Sequence, residues 1–238
     1  MSHIAQVSVN NNPNVGLFGL ATEKFCILDR YAQPAFSKTV ESVLGVPVVG
    51  ATIGGTGLCG LFCAGNSNGV IVSSAAMEHE KDALKKAGLN FMLMDSLHNA
   101  IGNLVAANDN GCIVSPLLAG REKMISKFLS VKTVSSKMAG SDLVGSAVSV
   151  SNSGCLLHKN ATEADFRLAE SILKVKPFIG SVNFGSPWVK AGIIANSRGL
   201  LIGDRSSGPE VALIDEAFGF VGVPGRDYRP EIVNKRGL

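Results

Sequence analysis

Apolar runs and polar turns alternate along this chain in a pattern that returns about every forty residues. In "GLFCAGNSNGVIVS", starting at Gly60, an apolar run, an Asn-Ser-Asn-Gly turn and a second apolar run follow one another. That order predicts a β-hairpin. The same hairpin recurs from Ile101 in "IGNLVAANDNGCIVS", from Val144 in "VGSAVSVSNSGCLLH", from Val189 in "VKAGIIANSRGLLIG", and more faintly from Val15 in "VGLFGLATEKFCILD". A second glycine stands nine residues after the first in Gly60–Gly69, Gly102–Gly111 and Gly145–Gly154. Lys190 and Gly199 keep that spacing without the first glycine, and Gly16 and Phe25 keep it without the second. The anchors 16, 60, 102, 145 and 190 lie 44, 42, 43 and 45 apart, which marks five repeats. Gly55-x-Gly57-x-x-Gly60 has the spacing of a dinucleotide loop, but such a loop needs a helix straight after its glycines. A hairpin follows here, so that reading fails.

Each repeat continues with a helical segment. Met77, Leu84 and Ala87 share a face in "AAMEHEKDALKKAG"; Met124, Ile125, Phe128 and Leu129 do so in "REKMISKFLSV". Thr162-x-x-Asp165 is a capping box ahead of Phe166, Ala169 and Ile172. Pro209 and Glu210 open a helix carrying Val211, Ile214 and Phe218, and repeat one has a short "SKTVESVLG" with Val40, Val43 and Leu44. Extended segments follow four of these helices: "VPVVGATI", "LNFMLMD", "VKTVSSKM" and "VKPFIGSV". The fifth is followed by "VGVPGRDYRP", too rich in Gly and Pro for a strand. The missing strand is available in "HIAQVSV", residues 3–9. The predicted fold is α/β, a closed five-bladed α/β propeller of ββαβ repeats sealed by its N-terminal strand, which leaves no exposed sheet edge. It occupies residues 1–220 as one domain, with 221–238 as a short, basic, flexible tail.

Composition narrows the function. The 238 residues are 46% hydrophobic and 17% charged, enough for a substantial core. The net charge is +3, and most of it sits in the tail, so nucleic acid can be met only through a local patch. No apolar run spans a bilayer and the first residues lack a signal-peptide pattern, so a soluble cytoplasmic protein is expected. The five cysteines (26, 59, 63, 112, 155) fall in columns held elsewhere by Val, Ile, Leu and Gly, and read as small buried hydrophobes. Cys155-x-x-His158 has no second pair with zinc spacing, and His158 reads as a surface histidine. No metal and no cofactor are expected. Glu78, Glu80 and Asp82 read as a solvated helix face, and no pair of acids sits in an otherwise apolar segment that would shift its pKa. Asn66, Asn108 and Asn196, with Ser151 in line, suit turn backbones.

One column carries more than structure. The residues after the anchor are Leu17, Leu61, Asn103, Ser146 and Ala191, and in a ring they form a circle around the axis at one end. A contact surface and a water-lined axial channel both account for Asn103 and Ser146.

The stretches "IGNLVAANDNG" (101–111), "VGSAVSVSNSGCLLH" (144–158), "AGIIANSRG" (191–199) and "RSSGPEVALIDEAFG" (205–219) resemble the translation initiation factor 6 family, the ribosome anti-association factors of archaea and eukaryotes. The similarity runs over about residues 12–220, and the short basic tail looks archaeal. The resemblance implies the pentein fold and a monomer bound to the large ribosomal subunit on its intersubunit face, against ribosomal proteins near the sarcin–ricin rRNA loop. It implies steric blocking of subunit joining without catalysis, a part in large-subunit biogenesis, and release helped by a GTPase. Contacts implied for this sequence centre on Asn103, with Leu61, Ser146, Leu17, Lys190 and Ala191. Leu61 stands where many eukaryotic members have Arg, so an anionic contact is not expected there, and Lys190 would add one compensating charge. Two rival readings remain. A pentein guanidine-modifying hydrolase would need a cysteine nucleophile near the C-terminus, and no Cys follows residue 155. A general RNA-binding scaffold would need an aromatic stacking platform, and the aromatics here sit mostly in apolar runs.

Overall fold

The computed structural model describes residues 2–221. The expected tail lies outside the described residues from 222 onward. The first strand, β1 (Ile4–Val7), stands apart from the blade that follows it. Blade 1 begins with a one-turn helix at Val15–Leu17, then β2 (Gly19–Ala21), β3 (Cys26–Asp29), helix α1 (Pro34–Leu44) and β4 (Val48–Ala51). Strand β2 runs antiparallel to β3, and β4 returns parallel to it after the helix.

Blades 2 to 4 repeat this order. They comprise β5 (Cys63–Asn66), β6 (Gly69–Ser73), α2 (Glu78–Lys86) and β7 (Phe91–Met94); β8 (Val105–Ala107), β9 (Gly111–Val114), α3 (Glu122–Leu129) and β10 (Lys132–Ser135); and β11 (Val148–Val150), β12 (Cys155–His158), α4 (Glu163–Leu173) and β13 (Pro177–Gly180). Blade 5 has β14 (Ile193–Asn196), β15 (Gly199–Gly203) and α5 (Gly208–Ala217). Its third strand is β1, parallel to β15 with Ile4 opposite Leu200 and Val7 opposite Gly203. The result is five three-stranded sheets. The inner strands β2, β5, β8, β11 and β14 each meet the next, and β14 meets β2, so the ring closes.

The central strands are buried along their whole length, which is why they read as continuous apolar runs rather than alternating ones. Core clusters lie between a helix and the neighbouring sheet; Ile27 of blade 1 packs with Val70 and Leu84 of blade 2. Helix α1 is longer than the expected "SKTVESVLG". Pro34 supplies a ready-made first helical residue and Gly45, at φ 60°, ends the helix in the left-handed region. In α2 only Leu84 of the expected apolar face is buried. Met77 is the residue before the helix and is 47% exposed, and Ala87 follows the helix end. What α2 buries beside Leu84 is Glu80, at 2% exposure.

Because the second and third strands of a blade run parallel, the ring has two distinct faces. Hairpin turns and helix C-termini gather on one. The one-turn helices that follow each blade connection, and the N-termini of α1 to α5, gather on the other.

Candidate functional site

The anchor glycines build the second of these faces. A Cβ on Gly16, Gly60, Gly102 or Gly145 would overlap the carbonyl oxygen of Lys190, Gly16, Gly60 or Gly102 respectively. Each one-turn helix therefore stacks its backbone on the last, and only glycine permits that approach. The residues just after the glycines are thereby carried to the axis. Leu17, Asn103, Ser146, Lys190 and Ala191 line one cup of about 390 Å³. Leu61, the sixth expected residue, belongs to the same ring of turns (Cys59–Phe62) and is half-buried, but does not line the cup.

Lys190 replaces the fifth glycine, and its side chain turns inward. Nζ donates to the carbonyl of Gly102, 2.7 Å away in blade 3. Burial holds its pKa down to about 8, against the pull of nearby Cys63. The charge expected to supplement the outer surface is thus directed to the axis. Behind it a narrow channel of about 50 Å³ runs between the inner strands, and Lys190 lines both spaces. The post-glycine column thus borders a surface cup, with a narrow axial channel behind it.

Around the cup lie side chains that the repeat pattern did not single out. Trp188 and Leu143 form part of its wall. Leu97 and Phe184, in the connections that lead to the one-turn helices of blades 3 and 5, are 98% and 85% exposed. Their signal in the sequence was an apolar residue inside a polar connection, "DSLHNA" and "NFGS".

The buried polar residues hold the seams between blades. The Asn66 amide donates to the carbonyls of Asn108 (3.2 Å) and Leu129 (3.0 Å), and that of Asn196 to Thr22 (3.3 Å) and Leu44 (2.9 Å). Their Oδ1 atoms meanwhile accept from their own turns, at Asn68 N–H and Arg198 N–H. Ser151 and Thr22 occupy this position in blades 4 and 1 and have no amide to send across. Those two seams are held instead by acids. Glu80 accepts from the N–H groups of Gly54 (2.8 Å) and Gly55 (2.9 Å) of blade 1. Glu210 accepts from Phe184 (3.0 Å) and Gly185 (2.8 Å) of blade 4, and from the Ser181 hydroxyl (2.7 Å).

This corrects the reading of Glu80 as part of a solvated face. Burial pushes the carboxyls of Glu80 and Glu210 up, but the donated N–H and hydroxyl groups outweigh it, and both end below the usual range, Glu210 at about 2. His158 also departs from expectation. It is buried rather than on the surface, edge-on to Trp188 at 5.1 Å, and accepts at Nδ1 from Asn160 N–H (3.0 Å). Burial lowers its pKa, and nearby Lys159 adds to the shift. The five cysteines are buried as expected, and burial pushes the thiols of Cys26, Cys63 and Cys112 up to about 12, far from nucleophilic. Among the described residues no cluster of His, Cys, Asp or Glu could hold a metal ion, and no helix is long and apolar enough to cross a membrane.

Known proteins were compared with this chain. Translation initiation factor 6 of Pyrococcus horikoshii is 32% identical over 226 residues, covering 92% of this chain and 100% of its own length. The proteins of the same name from Methanobrevibacter smithii and Haloquadratum walsbyi are 37% and 33% identical, over 92% and 91% of this chain and 98% and 96% of their own. These relatives are named as translation initiation factors, not as enzymes. Among solved structures, a dimethylarginine dimethylaminohydrolase aligns at TM-score 0.43 and 12% identity over 69% of each chain. Residues 4–217 match the model of the eIF-6 family, and with relatives of this similarity along nearly their whole length the chain belongs to that family.

Proposed function

We propose that this protein binds the large ribosomal subunit through the face that carries the cup, and by its bulk keeps the small subunit from joining. The observation that carries the reading is the cup itself. The ring brings Leu17, Asn103, Ser146 and Ala191 to one concavity, and Leu97 and Phe184 stand exposed in connections that lead to the one-turn helices of that face. Leu17, Leu143, Trp188 and Ala191 around Asn103 and Ser146 give the cup the largely apolar, charge-poor centre of a protein-binding surface. The nearly neutral body suits a contact made chiefly with ribosomal protein, near the sarcin–ricin loop, in the cytoplasm. Among the described residues lining the cup, Lys190 is the one titratable side chain and is already bonded to Gly102, and no His or carboxylate lines the cup to activate Ser146 or Ser186, which supports occlusion rather than catalysis. A standard stable interface covers about 800 Å² per partner, an area within reach of one face of a closed ring of this size.

The test is a gradient experiment with archaeal subunits. Saturating protein should move joined ribosomes into free subunits and travel with the large one. An unchanged profile overturns the reading.

A further inference from the structure

Four connections between blades contain a tight turn closed by a two-residue bridge: Val9–Asn12, Ile53–Thr56, Met138–Ser141 and Val182–Ser186. The first three share one backbone form. Asn10 and Asn11 have φ of 52° and 63°, Gly54 and Gly55 of 62° and 75°, Ala139 and Gly140 of 53° and 75°. In three of the four, the turn's N–H groups are met by a carboxylate from the third helical position of the next blade. Gly54 and Gly55 donate to Glu80 and Phe184 and Gly185 to Glu210, while Ala139 donates to Asp165 (3.2 Å). The residue before each helix adds a further N–H to the same acid: Met77, Ser207 and Thr162, each at 2.8 Å.

The fourth seam, between blades 5 and 1, departs from this. Helix α1 begins at Pro34, so its third position is Phe36. No described side chain accepts from the N–H groups of Asn10, Asn11 or Gln33. Where the acid lies in the other seams there is a recess of about 370 Å³, lined by Ser8, Val9, Asn10, Asn11, Gln33 and Phe36.

We propose that this recess is a receptor for a carboxylate supplied by a protein partner, an acidic side chain or a chain terminus. The donors correspond to those that hold Glu80 and Glu210, whose two oxygens are shared between adjacent N–H groups, and a carboxylate fits that bite. No Lys, Arg or His lines the recess, so a nucleic-acid phosphate lacks the cation that usually accompanies it. The turn is on the cup face, and Asn14, in the same connection, lines the cup. That a ribosomal protein brings the acid rests on the function proposed above; the carboxylate chemistry does not.

The experiment follows backbone amides of the full chain by NMR during titration with sodium acetate and with N-acetylglutamate amide, at constant ionic strength, against chloride and inorganic phosphate. The amides of Asn10, Asn11 and Gln33 should shift downfield and saturate with both carboxylates and not with chloride. Absence of that shift overturns the proposal, and a stronger response to phosphate overturns it in favour of a nucleic-acid partner. Phe36→Glu should place a carboxylate there internally, abolish the acetate response and melt higher at neutral pH than Phe36→Gln, which loses the same ring without adding charge. A Phe36→Glu protein that still responds to acetate counts against the site. On gradients, Phe36→Glu should bind large subunits several-fold more weakly than Phe36→Gln; equal binding removes the protein-partner half of the proposal. Failure of the parent chain to bind subunits at all would instead be failure of the anti-association reading.

Discussion

The side-chain amide of Asn108 in the third blade donates to the carbonyls of Ser151 in the fourth blade and Leu173 at the end of its helix, both at 2.9 Å, while its oxygen accepts from Asn110 and Gly111 at 3.0 Å. One buried side chain thus closes its own turn and ties two blades together. Asn108→Ala leaves these groups unpaired, and a buried unpaired group costs about 1–3 kcal/mol. With several affected at once, a loss of about 2–4 kcal/mol in urea unfolding is expected. A loss comparable to that of an exposed substitution would show that the seam does not depend on this amide.

Acid should act first at the seams held by carboxylates. Glu210 titrates at about 2 in the ring and near its ordinary 4.5 when unfolded. Its contribution to stability is therefore full above about 4.5 and is lost as pH falls toward about 2. Glu80, also lowered, acts in the same direction. Melting temperatures from pH 7 to 2.5 should fall less steeply for Glu210→Gln than for the parent, from a lower neutral starting value. Parallel curves would contradict the assignment.

Lys190 gives a slope of the same sign at alkaline pH. Between about 8 and the unfolded value of 10.5, the unfolded chain keeps a proton that the ring has released, so stability rises with pH across that window. Lys190→Met should lack this rise, and the difference between the two melting curves isolates it from other titrating groups.

The contact face can be tested without disturbing the core. Leu97→Ser and Phe184→Ser alter side chains in solvent and should leave the melting temperature nearly unchanged. Together they should weaken large-subunit binding in sedimentation assays by roughly tenfold, since losing about 1.4 kcal/mol of contact does that. Asn103→Asp, at the cup, should weaken binding in the same way without unfolding the ring. Full affinity in all three variants would place the contact elsewhere.

The repeat made most of the fold legible from sequence. The glycine columns, the five hairpins and the use of residues 3–9 as the closing strand all follow from spacing, because each blade obeys the same local rules. The burial of Glu80 and the cross-blade partners of Glu80 and Glu210 are not legible in sequence, because those partners are in the preceding blade, about 25 residues back, where helix spacing says nothing. His158 was misplaced for a related reason: Trp188, which covers it, belongs to the connection into the next blade. Lys190 was seen as a departure from the glycine column, but its inward direction depends on a carbonyl 88 residues away. The cup residues were found because they share one column. Leu97 and Phe184 were not, because each stands in a connection outside the hairpin and helix columns by which the repeats align.

The pairing of β1 with β15 also bears on how such a chain leaves the ribosome that makes it. The first strand emerges at once, yet its partner ends at Gly203, so the earliest segment must wait unpaired through the synthesis of nearly every blade. Vectorial folding cannot finish this molecule piece by piece. A truncated nascent chain ending before Gly203 exposes an orphan edge at both termini, and the cell receives either an entire ring or a target for its chaperones.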